Sequence, residues 1–167
     1  TIKGLTRQPS QGNSLPRIAE TPAGVLNSIG LENPGLKNFK NDVVPEIKDL
    51  NVPILANISG NTVDDFAFLA ENITSIDCIN AIEVNVSCPN LKKGGMAFGA
   101  DSELIYKITS RVSDIYPGPV IVKLTPNVTD IVEMAKSAVE GGADIISLIN
   151  TLLGMAIDVE SQQPVLG

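Results

Sequence analysis

The sequence predicts an α/β fold of parallel strands, about five of the eight units of a (β/α)8 TIM barrel, and three observations predict it. Short, almost continuously apolar runs begin at Pro53, Ala81, Pro119 and Asp144, the pattern of strands buried on both faces. Amphipathic helical segments alternate with them, which calls for parallel pairing through right-handed crossovers. The strand starts lie 25 to 38 residues apart, and eight such units make roughly 250 residues, the usual size of that barrel. An open doubly wound sheet is the competing architecture. No Gly-x-Gly-x-x-Gly follows any strand, which weakens a dinucleotide fold.

Taken in order, Thr1-Ile2-Lys3-Gly4-Leu5 reads as the tail of a strand. From Arg7 to Leu36 prolines and glycines recur without periodicity, and a loop that long in a compact domain is usually functional. Pro53 to Ile58 is the first clear strand. Thr62 to Ile73 places Val63, Phe66, Ala67 and Ala70 on one helical face. The strand Ala81 to Ser87 follows, then a helix over Asp101 to Ile115 carrying Leu104, Ile105, Ile108, Val112 and Ile115. Pro119 to Leu124 is a strand, Thr129 to Val139 a helix stopped by Gly141-Gly142, and Asp144 to Ile149 a further strand.

At 167 residues, 43% of them hydrophobic, the chain has material for one domain over residues 1–167 with a real core. Its apolar runs are far shorter than the roughly 20 residues that span a bilayer. Twelve basic against nineteen acidic residues, a net charge of −7, disfavour nucleic-acid binding. Cys78 and Cys88 are too far apart for a zinc knuckle and too few for a disulfide scaffold. No metal-ligand set is recognisable, and a reducing, cytoplasmic setting is expected. The opening at Thr1 and the stop at Pro164-Val165-Leu166-Gly167 suggest a piece of a longer polypeptide.

Chemistry gathers where strands end. Asn57 and Ser59 close the first, Asn85, Ser87 and Cys88 the second, Lys123 and Thr125 the third, Asn150 and Thr151 the fourth. Alternation puts Glu83, Asn85 and Ser87 on one face, and Ile121, Lys123 and Thr125 likewise. In a barrel those faces point inward near the carboxyl-terminal rim, where active sites lie. A ring of amides and lysines there suits a flat, neutral-to-anionic ligand rich in carbonyl and N–H groups. A strand-end Asn is by itself often a turn former; four strands ending alike argue for more. Lys123 sits among Val120, Ile121, Val122 and Leu124, so it either snorkels outward or meets an anionic ligand. Lys3 invites the same reading more weakly, because it lies near the terminus.

The chain has no histidine, which leaves the Cys88 thiol one of few groups able to move a proton near neutral pH. Pro89 holds Cys88 away from helical angles as the chain leaves the sheet. Leu91-Lys92-Lys93-Gly94-Gly95 reads as a lid. Cys78 lacks such context and reads as structural.

Asn85-Val86-Ser87-Cys88-Pro89-Asn90, followed by Gly94-Gly95-Met96-Ala97-Phe98-Gly99, resembles the catalytic loop of class 1 dihydroorotate dehydrogenases. Lys3-Gly4, Pro16-Arg17, Asn27 to Gly35, Ala56 to Gly60, Lys123 to Asn127 and Ile149-Asn150-Thr151 fall in the family's order, so the likeness covers essentially the whole chain. The resemblance implies a (β/α)8 barrel with FMN at its rim, oxidising dihydroorotate to orotate in pyrimidine synthesis. It implies Cys88 as the base at C5 of the substrate. Lys3, Asn27, Ser28, Ile29, Gly30, Leu31, Asn85, Asn150 and Thr151 would bind substrate, and Lys3, Gly4, Asn57, Asn85, Lys123 and Ile149 would contact FMN.

The Gly94 to Gly99 continuation is similar to the 1B subtype, which passes electrons to NAD through a partner subunit carrying FAD and an iron–sulfur cluster; a homodimer of this subunit is also implied. The family's chain is longer, and most flavin-phosphate loops would follow Gly167. Two alternatives stand beside this reading. One is a dihydropyrimidine dehydrogenase-like flavoenzyme, disfavoured by Asn90 and the glycine-rich continuation. The other is a barrel remnant without catalysis, which would need no FMN.

Overall fold

A computed structural model describes residues 1–87, 89–90 and 96–166. Cys88 and the expected lid at Leu91 to Gly95 lie outside them. The elements in chain order begin with an antiparallel hairpin, β1 (Ile18–Thr21) and β2 (Gly24–Asn27), with Ile18 opposite Asn27. A helical stretch follows as α1 (Gly35–Asn38), a π turn (Phe39–Val43) and α2 (Val44–Ile47). Then come β3 (Leu55–Ile58), α3 (Val63–Ile73), β4 (Ala81–Asn85), the short pair β5 (Pro89–Asn90) and β6 (Met96–Ala97), and α4 (Ser102–Ser113). The chain continues with β7 (Val120–Leu124), α5 (Ile131–Glu140), β8 (Ile145–Leu148) and the short β9 (Ile157–Asp158) and β10 (Gln163–Pro164).

The main sheet is four parallel strands in the order β3-β4-β7-β8. Sequential strands are spatial neighbours, joined by crossovers that contain α3, α4 and α5. Each of these helices starts where a side chain meets the first-turn amides that no helical carbonyl can reach. Thr62 Oγ1 accepts from the Asp65 N–H at 3.1 Å, and Asp101 Oδ1 from that of Leu104 at 3.1 Å. Asp130 Oδ1 accepts from the N–H groups of Val132 and Glu133 at 2.8 and 3.2 Å. Asp64 and Asp65 lie in the first turn of α3, where the helix dipole favours negative charge.

One face of the sheet carries Ala56, Ile58, Ile82, Val84, Val122 and Leu124, all fully buried. They form a single core with Phe66, Leu69 and Ile73 of α3, Ile105, Ile108 and Val112 of α4, and Met134 and Ala138 of α5. Burial is complete along β4 and falls to partial exposure in β8. Thr1 to Leu5 runs along the other edge. The Ile2 and Leu5 amides donate to the Leu55 and Asn57 carbonyls at 2.9 and 2.8 Å, and Leu5 makes a parallel bridge with Ile58.

One expectation is corrected, and one element was not anticipated. The stretch from Arg7 to Leu36 is not one irregular loop: it folds back as the β1–β2 hairpin and closes with a Ser10–Asn33 bridge. Four-residue strands lying largely at the surface present no alternation of buried and exposed apolar residues to read. The helical stretch after Gly35 was not anticipated, although Leu36, Phe39, Val43, Val44 and Ile47 recur at helical spacing and lie in or against the core. No helix among the described residues is long and apolar enough to cross a membrane.

Candidate functional site

The second face of the sheet turns polar toward the carboxyl ends of its strands. Parallel register places Asn57 beside Glu83 and Glu83 beside Ile121, then, one row toward the carboxyl ends, Asn85 beside Lys123 and Lys123 beside Ser147. Asn57, Ser59, Glu83, Asn85, Ser87 and Lys123 face a cavity of about 1060 Å³, at the upper end of the roughly 300–1,000 Å³ usual for ligand sites. Its far wall comes from the amino-terminal segment Thr1 to Gly4, from Thr6 to Ser10, and from Asn27 and Ile29 to Leu31; Asn150 and Thr151 close one side.

Hydrogen bonds hold these walls. The buried Asn33 accepts from the Thr6 N–H at 3.1 Å and the Gly35 N–H at 2.9 Å, and its Nδ2 donates to the Leu31 carbonyl at 2.8 Å. One carboxamide thus ties the loop after β2 to the strand-like start of the chain. Arg17 pairs with Glu32 and donates from Nη2 to the Gln11 carbonyl at 2.8 Å. Gly30 has φ +73, and a Cβ there would lie 2.6 Å from the Asn13 amide nitrogen, so both conformation and space call for glycine. Asn127 Nδ2 donates to the Thr151 carbonyl, and Asn127 Oδ1 accepts from the Leu153 N–H, both at 3.0 Å.

Inside the cavity, Asn85 Oδ1 accepts from the Ser87 N–H at 3.2 Å and from Asn150 Nδ2 at 3.3 Å. Asn57 Nδ2 donates to the buried Glu83 carboxylate. Lys123 is half-buried and makes no hydrogen bond or ion pair with the described residues. The hydroxyls of Ser59 and Ser87 are buried without a hydrogen-bond partner among the described residues. Arg7, also on the wall, is held by the Phe68 ring, its guanidinium carbon 4.1 Å from the centroid. Cations, amides and unused hydroxyls therefore converge on one space. It can take a flat polar ligand carrying carbonyl or carboxylate oxygens together with N–H groups.

Of the residues singled out from sequence, the cavity brings together Lys3, Gly4, Asn27, Ile29, Gly30, Leu31, Asn57, Asn85, Lys123, Asn150 and Thr151. Ser28 and Ile149 are not among its lining residues: the Ser28 amide donates to the Arg17 carbonyl at 2.8 Å, and Ile149 is 45% exposed. Cys88 lies outside the described residues. Glu83, Arg7, Asn33 and Asn127 were not assigned roles from sequence. Glu83 alone gave a clear signal, an acidic side chain inside a buried strand, which needs a partner.

Comparison with known proteins points to one family. The family model described as dihydroorotate dehydrogenase matches residues 1–167. The chain is 51% identical over 164 residues to the "Dihydroorotate dehydrogenase B (NAD(+)), catalytic subunit" of Thermoanaerobacter pseudethanolicus, covering 98% of this chain and 54% of that protein. Proteins of the same name from Bacteroides fragilis and Desulforamulus reducens are 50% and 52% identical over 165 and 166 residues, in each case 99% of this chain and 54% and 55% of theirs. The chain thus spans about half the length of these curated relatives, and their names agree with the 1B resemblance. On the family match over all its residues and identity near one half, the chain belongs to the dihydroorotate dehydrogenase family.

Proposed function

We propose that the protein oxidises (S)-dihydroorotate to orotate in pyrimidine (UMP) biosynthesis, and that the cavity on the polar face of the sheet holds both substrate and FMN. The observation that carries this reading is the convergence of Lys3, Asn27, Asn57, Asn85, Lys123 and Asn150, from six separate segments, on one cavity. We read the four parallel strands as part of a (β/α)8 barrel, whose carboxyl-terminal face is where such sites are built.

The donor set fits a flavin. Lys123 is a half-buried cation without a partner among the described residues, and the Ser59 and Ser87 hydroxyls are buried donors likewise unused. Gly4 leaves open a surface that a Cβ would close: that atom would lie 2.9 Å from Asn57 Oδ1 and from Leu31 Cδ1. Lys3, Gly4, Asn57, Asn85, Lys123 and Ile149 are the proposed FMN contacts. When bound, FMN supplies the acceptor for the hydride that leaves C6 of the substrate.

The chain's own residues do the rest. Asn27 to Leu31, Asn85, Asn150 and Thr151 orient the substrate ring through amide and backbone hydrogen bonds, while Lys3 pairs with its carboxylate. The Cys88 thiolate takes the proton from C5, so that C5 and C6 become doubly bonded as the hydride departs. Lys123 would hold the flavin and supply positive charge beside its ring, where a cation in a desolvated site acts strongly. The NAD in the relatives' name supports onward electron transfer to NAD. Their designation as a catalytic subunit supports a partner chain, proposed to carry FAD and an iron–sulfur cluster, with this subunit itself a cytoplasmic homodimer.

The test is a spectrum of the full-length protein, anaerobic, before and after dihydroorotate. The wild type should carry a yellow band that bleaches. Cys88→Ala should keep the band yet lose roughly 10²- to 10⁴-fold in the rate of bleaching, the usual contribution of a positioned base. A wild-type rate in that variant would remove Cys88 from the mechanism.

A further inference from the structure

Glu83 has no part in the mechanism above, yet it is the cavity's buried carboxylate. It is 7% exposed in the middle of β4, and among the described residues its hydrogen-bond partner is Asn57 Nδ2, directly opposite on β3. A carboxylate only accepts, so it selects which end of the Asn57 carboxamide faces it. The amide's NH2 is drawn to Glu83, and Oδ1 is turned away from it.

That oxygen has a defined address. Asn57 is 5% exposed, and Oδ1 accepts no hydrogen bond from a described residue. It lies beside Gly4, 2.9 Å from where a Cβ would stand, and both residues line the cavity. The missing side chain at Gly4 is what leaves this acceptor reachable. A ligand that covers this acceptor without donating to it takes away its water and leaves it unpaired, so a ligand N–H placed there is selected over a group that cannot donate.

We propose that Glu83 is a positioning residue: it locks the Asn57 carboxamide with Oδ1 as the acceptor, and so makes this point of the cavity read a ring N–H of the cofactor. The inference rests on the flavin reading given above. Oxidised isoalloxazine has one ring N–H, at N3, so N3 is the group this acceptor distinguishes. Replacing Glu83 by Gln leaves a side chain that can accept or donate. The Asn57 amide is then free to present either end, and the discrimination is lost while the fold is kept.

The experiment measures dissociation constants of FMN and N3-methyl-FMN by flavin fluorescence for the full-length apoprotein, with its melting temperature followed in parallel. The wild type should prefer FMN by roughly three- to tenfold, the worth of one neutral hydrogen bond. Glu83→Gln should bring the two constants together by weakening FMN alone. Glu83→Asp, which keeps the charge but withdraws it from Asn57, should do the same and decides the matter if the Gln variant does not fold. Equal weakening of both flavins, or an undiminished preference for FMN in a folded variant, overturns the role of Glu83. A wild type that binds no flavin overturns the functional reading itself, a different result from either of these.

Discussion

At the amino-terminal ends of the strands, polar side chains are consumed by the sheet's own backbone. Asn80 Oδ1 accepts from the Ile54 N–H and Asp144 Oδ2 from the Val120 N–H, both at 2.8 Å. At the carboxyl-terminal ends the Ser59 and Ser87 hydroxyls are buried and unpaired, and Lys123 has no partner, among the described residues. An unpaired buried polar group costs about 1–3 kcal/mol. One end of the sheet therefore avoids that cost locally, and the other bears it where a ligand can repay it. The difference teaches that residue type alone does not mark a site. Asn80, just before β4, and Asn57, within β3, are equally polar amides, but one has a backbone partner for its oxygen and the other turns that oxygen to the cavity.

The largest expected effect tests whether the two faces of the sheet are energetically separate. Ile82 is fully buried on the helix-facing side of β4, one residue from Glu83 on the cavity side. Ile82→Ala should cost about 2–5 kcal/mol of stability through lost burial and a residual cavity, read from denaturant unfolding of the full-length protein. FMN affinity of the folded fraction should not change. A variant of normal stability that has lost its flavin would show that the core side and the cavity side are not separable.

Lys123→Ala should give a smaller effect of the opposite kind. The lysine's ammonium makes no hydrogen bond or ion pair with the described residues, so its removal should leave the apoprotein's melting temperature level or slightly higher. FMN affinity should fall roughly ten- to a hundredfold, the worth of a hydrogen bond to a charged group. Isothermal titration measures it. An unaltered affinity would mean that the lysine points past the cofactor, and the polar end of the sheet would lose its main cation.

How much of this was readable in advance follows the same physics. β3, β4, β7 and β8 were legible because buried parallel strands need unbroken apolar runs, and α3, α4 and α5 because a half-buried helix needs a 3.6-residue apolar period. Two helix starts were set at Thr62 and Asp101, whose oxygens cap those helices, and the third at Thr129, one residue before the capping Asp130. The β1–β2 hairpin was not legible, since nothing forces a pattern on a four-residue surface strand. Within the site, strand-end residues such as Asn57, Asn85 and Lys123 stood out because polarity interrupts an apolar run. Asn33 and Asn127 did not, because the bonds that tie the cavity walls together reach Thr6 and Thr151, which are near them only after folding.

The smallest prediction sharpens the amino-terminal side of the comparison. Tyr116 is 7% exposed there, and its hydroxyl donates to the Ile79 carbonyl just before β4 at a long 3.4 Å. Burial disfavours the phenolate and raises this tyrosine's pKa above the ordinary 10.0. The unfolded chain, with its ordinary pKa, then loses the proton first as pH rises. Below about pH 10 the phenol is neutral in both states and its contribution to stability is complete; through the alkaline range above that it drains away. Lys107, whose pKa is raised by its hydrogen bond to Glu103, contributes a fall of the same sign but is present in both proteins of the comparison and cancels in the difference. Tyr116→Phe should therefore begin slightly less stable at pH 8, having lost a weak hydrogen bond, and decline less steeply toward pH 11. Chemical denaturation of both proteins across that range measures the two slopes. Parallel curves would mean that the phenol is as well solvated in the folded protein as in the unfolded chain, and that the amino-terminal end of the sheet is not the closed, self-satisfied surface its hydrogen bonds describe.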